Sequence, residues 1–372
     1  MGKRGGLLRG KGLPAALLVF GALLIAGGLI LKLLIVPALA QFPDDVDTTR
    51  TYEGVVTILN RNALEDTTQE LFFSDVAVVS ERTVTTEEVN GQKALVRDVA
   101  TLVAAEGTPL AGTRLTGSDD FFTIDRKTME SIENFSENER VLERDGLVIG
   151  FPIGTEKRDY AGWNRDPQLP VTLFYQREEE REGINTYVFT ASSGPETIKD
   201  PGTLSEFPKG VPRDSVPALL PILNLPPELE ASVSTLLPFL PPQLPIIYSY
   251  EFEATYWVDP TTGILIDINK HDIRKATVVV PGVSLDVPPL EVYNLTYQAT
   301  PESLEAAVDD ARSNGNRLKL GRTTGPITLF VLAGLSLLGG TFLLWQRGRG
   351  KAEIEVTPPH HVGDDSLPAH EG

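Results

Sequence analysis

The sequence has no cysteine in 372 residues, which removes disulfide scaffolds, Cys-ligated zinc or iron–sulfur sites and thiol nucleophiles. Histidine is nearly as scarce. Of four, three fall within the last thirteen positions, and His271 is the one imidazole in the body of the chain. Positive charge is short as well: 33 Lys+Arg stand against 51 Asp+Glu, a net charge of −18. Phosphate binding needs a basic face, so no nucleic-acid partner is expected. No Walker motif occurs and no dinucleotide fingerprint follows a strand, so the expected cofactor is none.

What is present is unevenly spread. Leu13 to Leu31 carry no charge over 19 positions, and after Lys32 the apolar run resumes to Ala40; Pro326 to Trp345 are uncharged over 20. Each is long enough to cross a ~30 Å hydrocarbon core at ~1.5 Å per residue. Lys3, Arg4, Arg9 and Lys11 precede the first span, and Arg347, Arg349 and Lys351 follow the second. Positive flanks stay in the cytoplasm, so a two-pass plasma-membrane protein with both termini inside is expected, its main region extracytoplasmic. Ala38-Leu39-Ala40 resembles a signal-peptide cleavage site. An h-region is normally ~7–15 residues, though, and the length of this run favours a retained anchor.

The expected layout is a cytoplasmic basic segment at 1–12, a transmembrane helix at 13–40 and an exported β domain at 41–145. A second β domain at 146–316 follows, with a Pro/Leu-rich insert at 201–245. A juxtamembrane linker at 317–325, a transmembrane helix at 326–345 and a disordered cytoplasmic tail at 346–372 complete it. Residues 41–316 hold 22 basic and 46 acidic residues, a net charge of −24. That is read as a solvated surface. Asp44-Asp45-Val46-Asp47 and Asp119-Asp120 are its densest clusters, neither has EF-hand spacing, and no metal site is expected.

The exported part reads as β. Tyr52 to Leu59, Leu71 to Val89 and Ala94 to Val103 have strand composition, with the hairpin signal Asn90-Gly91 between the last two. Val171 to Gln176 and Ile184 to Ala191 flank a charged tip ending in Gly183. Ile124-Asp125-x-x-Thr128 aligns without gaps on Val258-Asp259-x-x-Thr262, and each Asp can accept from backbone N–H groups of its own turn. From Gly91 to Asp125 is 34 residues and from Gly183 to Asp259 is 76; removing the 45-residue insert nearly equalises them. A tandem duplication of two antiparallel-sheet domains is therefore expected, with chance similarity of two short hairpins as the alternative.

The insert, Pro201 to Pro245, has 11 prolines and 10 leucines. Proline excludes a central strand or long helix, but Pro227 to Leu237 suits one short helix. The candidate ligand-binding residues lie here: Leu219, Leu220, Leu223, Leu225, Leu236, Leu237, Phe239 and Leu240. A cap packed on the second domain explains them equally well; a lid over a lipid-sized cavity or an apolar patch on a membrane or partner are the functional readings. Farther on, Thr300-Pro301-Glu302 starts a helix with Leu304, Ala307, Val308 and Ala311 on one stripe, and Asn314-Gly315-Asn316 is expected to stop it.

The stretch Gly146-Leu147-Val148-Ile149-Gly150-Phe151-Pro152-Ile153-Gly154-Thr155-Glu156-Lys157-Arg158-Asp159-Tyr160 resembles a signature of a family of actinobacterial two-pass envelope proteins labelled "PorA family" or "porin". Val36-Pro37-Ala38-Leu39-Ala40, Gly54-Val55-Val56-Thr57 and Tyr256-Trp257-Val258-Asp259 with Thr262-Gly263 resemble it too. The resemblance implies a plasma-membrane protein with an exported β-rich domain, linked to assembly of envelope lipoglycans such as lipomannan, and brings no catalytic residues. It implies as partners a membrane lipid or lipoglycan and membrane proteins of envelope biosynthesis. A pore is not expected, because two apolar helices would stop in the inner membrane and an open barrel needs more strands.

An enzyme would have to work with His271 in a polar context, without a Gly-x-Ser-x-Gly elbow, or with a carboxylate pair that 46 acids do not single out. Trp163 and Trp257 suit sugar stacking, though large aromatics in β domains are more often core. The sequence thus favours a membrane-anchored α+β protein that binds or presents an amphiphile, or scaffolds envelope assembly, with no catalytic residues. The alternative is a carboxylate-dependent glycan hydrolase or transferase.

Overall fold

The structure is a computed structural model describing residues 12–66, 68–141, 144–223, 225–279 and 288–352. The basic segment up to residue 11 and the tail beyond 352 lie outside the described residues. Two units make up the chain, a helix pair and a β unit spanning Leu39–Leu318.

The helix pair comprises α1 (Leu13–Ile30), a π-turn at Leu31–Ile35 and α2 (Val36–Leu39), with α7 (Gly325–Ala352) and the π-turn Leu320–Thr324 before it. Both helices are long and apolar enough to cross a membrane. They run antiparallel, and glycines set the approach. A Cβ at Gly21 would lie 2.7 Å from Leu337, one at Gly28 2.7 Å from Phe330 and one at Gly340 3.0 Å from Leu18. Ser336 donates to Leu17 O at 2.8 Å across the same seam. Gly27 and Gly334, equally suited by size to close packing, face open space.

In the β unit, β1 (Asp47–Leu59), β2 (Phe72–Asn90), β3 (Lys93–Ala104) and β4 (Arg114–Asp125) form a meander. A second consists of β5 (Tyr160–Asn164), β6 (Leu169–Arg181), β7 (Ile184–Thr197) and β9 (Gln243–Val258), with the short β8 (Gly210–Pro212) beside β9. The sequence pattern predicts these as separate domains. Instead β10 (Leu265–Val278) and β11 (Leu290–Ala299) join them into one curled antiparallel sheet, ordered β4-β3-β2-β1-β11-β10-β9-β7-β6-β5. The reason lies after the repeated turn. In the second half the chain continues as two full strands, and β11 pairs with β1 from Tyr52↔Ala299 to Ile58↔Tyr293, covering an edge that would otherwise be open.

The sheet's outer edges do not stay free either. Ile132 N–H donates to Thr123 O of β4, Ser131 N–H to Gly146 O, and Leu147 N–H to Ala161 O of β5. The signature segment thus carries the curl from one edge towards the other.

The repeated turn is real in its bonding. Asp125 accepts from the N–H groups of Lys127 and Thr128 at 2.8 and 2.9 Å, and Asp259 from those of Thr261 and Thr262 at 3.2 and 3.1 Å. Met129 N–H returns to Asp125 O as Gly263 N–H does to Asp259 O, both at 2.8 Å. Met129 and Gly263 hold the same left-handed conformation, φ 62° and 75°.

Helix α6 (Pro301–Lys319) buries Ala307, Val308 and Ala311 against Ile266, with Trp257, Ile184 and Ile264 at the rim. Thr300 caps it, accepting from Ser303 N–H at 3.2 Å. The expected stop at Asn314-Gly315-Asn316 fails, and the expected linker at 317–325 is helical through Lys319 and the π-turn. Gly and Asn inside a helix cost only ~1 kcal/mol each, too little to end one that continues into an apolar run.

Candidate functional site

Register decides what faces the inside of the curl. On β10, Ile268, Lys270, Asp272, Arg274 and Ala276 share one face, opposite Tyr256, Ala254, Phe252, Tyr250 and Tyr248 of β9. Across β11 the same face carries Tyr293, Leu295 and Tyr297, and on β1 Tyr52, Gly54 and Val56. Val76, Val78, Ala94, Val96 and Phe122 continue the face and belong to one core cluster with the tyrosines of β9 and β11. The wall is apolar, crossed by a belt of charge.

Within the belt every cation meets a carboxylate. Arg82 forks onto Asp98 at 2.7 Å, Arg274 binds Asp166 at 2.7 Å and Lys270 binds Asp272 at 3.0 Å. Arg165 lies between Asp120 and Asp200, both at 3.2 Å, and Arg144 reaches Asp120 at 3.3 Å. Thr203, at the start of the insert, ties this chain together: its N–H donates to Asp200 and its hydroxyl to Asp166, at 2.7 and 2.9 Å. Rings complete the lining. The Lys270 ammonium lies 4.9 Å from the Phe252 centroid, and the Arg274 guanidinium 4.5 Å from that of Tyr293.

Burial by itself lowers the pKa of Lys270 and Arg274, but Asp272 and Asp166 beside them raise both well above their ordinary values. Asp166 behaves as the mirror image: burial raises it, and Arg274 holds it below the usual range. Burial pushes the Tyr293 phenol up to about 12 and that of Tyr250 well above its ordinary value. These phenols therefore stay neutral, and Lys270, Arg274 and Asp166 charged, near neutral pH. The belt is electrically balanced, five cations against Asp98, Asp120, Asp166, Asp200 and Asp272. Tyr52, Tyr256 and Tyr297 remain partly exposed.

Glu206 is the group apart. Its carboxylate accepts from Gly117 N–H at 3.0 Å, and burial raises its pKa. A raised folded-state pKa contributes stability fully present below the unfolded value near 4.5 and lost as pH rises through the folded one. Glu206→Gln should therefore raise the thermal midpoint at pH 7 and leave it nearly unchanged at pH 4, as melts at the two pH values will report.

The insert joins the belt at its start through Thr203, and most of its candidate leucines pack on one another. Leu220, Leu225 and Leu240 are buried in a small core of their own with Val211, Val216, Val233 and Leu244, and Leu219 and Leu237 pack on it. Helix α3 (Pro201–Ser205) opens the insert, and α4 (Val216–Leu223) and α5 (Pro227–Leu236) carry this core. Leu236 is half-buried, and the side chain of Leu223 lies outside the described residues. Phe239, in contrast, is 84% exposed. The small core rests on Ile246 and Val278, near one end of β9 and β10, while α6 packs at the other end of those strands. Leu220→Ala should cost about 2–5 kcal/mol by leaving a cavity, and Phe239→Ser less than ~0.5 kcal/mol, measurable by urea unfolding.

Other sequence candidates fall elsewhere. His271 faces the outside of the sheet and pairs with Asn294 Oδ1 at 2.8 Å. Trp257 donates to Glu179 at 3.0 Å beside α6, and Trp163 lies on β5, half-buried. Asp119 and Asp120 point to opposite faces of β4, Asp119 to Arg97 at 2.8 Å and Asp120 into the belt. Sequence reasoning misses the belt itself. Its signal is the run Lys270-x-Asp272-x-Arg274, alternating charges on the same strand face as Ile268.

These features define a protein class: a curled antiparallel sheet with a charge-balanced aromatic interior, on a chain that also has two apolar helices of membrane-spanning length. The model of the family described as Porin PorA matches residues 13–342, and the chain belongs to the PorA family. No curated protein matches the sequence. Among solved structures the chain is similar to a mutant porin from Rh. blastica, at 6% identity and a TM-score of 0.19, covering 68% of this chain and 99% of that one. An N-terminal dehydratase from the difficidin assembly line stands at 10% identity and 0.10, covering 70% and 82%. An acyl-CoA thioesterase II from Mycobacterium marinum stands at 9% and 0.09, covering 68% and 80%. None of these scores bears on the fold.

The outward face of the sheet carries charge. An outer-membrane barrel shows lipid an apolar band, whereas the outward positions here include Glu53, Glu81, Glu253, His271, Lys275 and the Arg97–Asp119 pair.

Proposed function

We propose that the curled sheet is a non-enzymatic receptor for an amphiphilic envelope component, a membrane lipid or lipoglycan precursor, on a plasma-membrane protein whose termini are cytoplasmic. The observation that carries the reading is the inner face, where apolar walls flank a polar belt with no net charge. The walls take acyl or prenyl chains. The belt takes a polar head through tyrosine hydroxyls and fixed ion pairs. In this reading the insert, with Leu219, Leu220, Leu223, Leu225, Leu236, Leu237, Phe239 and Leu240, closes one end of the strands. The acidic outer face stays clear of anionic headgroups and is open to membrane proteins of envelope biosynthesis.

The competing reading, a carboxylate-dependent glycan enzyme, needs a protonated acid and a free base. Glu206 supplies a carboxyl group disposed to hold a proton, but the five inward aspartates are each tied to a cation. The test uses neighbouring residues of β11. A photocrosslinker replacing Tyr297, which faces inward, should capture radiolabelled lipid in membranes, and one replacing Thr296, which faces outward, should not. Equal labelling of the two positions would remove the interior as the site.

A further inference from the structure

The helix pair carries a feature that neither span length nor the receptor reading requires. Each helix has one π-turn, Leu31–Ile35 and Leu320–Thr324, and each turn comes just before a proline, Pro37 and Pro326. A proline removes a backbone donor and pushes its ring towards the carbonyl four residues back, and widening the preceding turn relieves that crowding. Val36 N–H accordingly donates to Leu31 O and Gly325 N–H to Leu320 O. The two turns are level with one another. A Cβ added at Gly321 would lie 3.2 Å from Val36, and one at Gly325 2.9 Å from Leu31.

Each turn holds one cation, Lys32 in the first and Arg322 in the second, and Lys319 immediately precedes the second. All three are exposed, among exposed Leu33, Leu34 and Leu320. No Asp or Glu occurs from residue 12 to 43 or from 311 to 352, and none of the three joins an ion pair among the described residues. The belt cations, by contrast, are all matched. Arg322 and Arg347 stand 25 residues apart, about 38 Å at 1.5 Å per residue. That falls between the ~30 Å hydrocarbon core and the ~40–45 Å full bilayer. With Arg347 at one headgroup layer, the paired turns lie at the other.

We infer that the paired π-turns form a binding site for an anionic phospholipid, with Lys32 and Arg322 holding the headgroup phosphate, Lys319 adding charge, and Leu33, Leu34 and Leu320 against its acyl chains. The occupant follows from charge complementarity and depth. Unpaired cations at headgroup level, ringed by lipid-facing leucines, match an acidic lipid and not a soluble anion. The site lies wholly on the helix pair and does not depend on the receptor reading.

The full chain in nanodiscs of equal phosphatidylglycerol and phosphatidylcholine tests it, with a photocrosslinker at Leu33 or, near the opposite end of the pair, at Leu344. At Leu33 the adducts should favour phosphatidylglycerol at least threefold. In the Lys32→Gln/Arg322→Gln variant the ratio there should fall to one while that at Leu344 is unchanged, and Lys32→Arg/Arg322→Lys should keep the preference. A ratio of one in the wild type, or a preference that survives loss of both charges, would overturn the site.

Discussion

Gly263→Val should destabilise the protein by about 4 kcal/mol or more, among the largest effects of any single substitution. Gly263 sits at φ 75°, where a β-branched residue is strained, and an added Cβ would overlap Phe151 O and lie 2.7 Å from Pro152 O. These are backbone atoms of the signature segment, which cannot move aside as a flexible side chain would. Gly91→Ala is the control. Gly91 has φ 61° but nothing within 4 Å of the added Cβ, so strain alone should cost only ~1 kcal/mol. Urea unfolding of the full chain in detergent, followed by tryptophan fluorescence, compares them. The difference explains why the Gly146–Tyr160 stretch and Thr262-Gly263 belong to one sequence pattern: the first packs on the backbone of the second.

Arg274→Met should cost a comparable 3–5 kcal/mol, roughly, because it leaves the Asp166 carboxylate buried without its counter-charge. Asp166→Leu should do similar damage, whereas the double substitution Arg274→Met/Asp166→Leu should recover most of the loss, since an apolar pair needs no compensation. The pH dependence follows from the same pair. The pKa of Asp166 is lowered in the folded state, so its contribution is present above the unfolded value near 3.8 and is lost as pH falls through the folded one. Arg274→Met should therefore flatten the acid limb of the stability curve, which thermal melts between pH 2 and 5 will register.

Much of this architecture is legible in the chain. The two spans follow from uncharged length, the β2–β3 hairpin from Asn90-Gly91, and the repeated turn from the aligned Asp-x-x-Thr. What stays hidden is long-range. Nothing local in β11 states that it pairs with β1, because register is set by which faces are buried and not by any motif; hence the pattern suggests two domains where one sheet forms. The belt is hidden for the same reason. Arg82, Asp98, Asp120, Asp166 and Arg274 come from scattered segments, and each alone reads as a surface charge. Only the sheet turns them inward. Composition marks the insert as apolar with one short helix, but its leucines satisfy one another, which composition alone does not separate from a ligand wall. The stop at Asn314-Gly315-Asn316 fails because the helix runs on into an apolar segment of membrane-spanning length.

The central claim is that the interior of the curled sheet holds an amphiphile. Native mass spectrometry of the full-length protein, released from mild detergent micelles after purification from its own membranes, tests it most directly. The expected result is a co-purifying lipid or lipoglycan at one per chain, retained in Lys32→Gln/Arg322→Gln but lost when Tyr256 and Tyr297 are both replaced by alanine. A bare polypeptide mass in the wild type, or a ligand indifferent to the loss of both tyrosines, would contradict it.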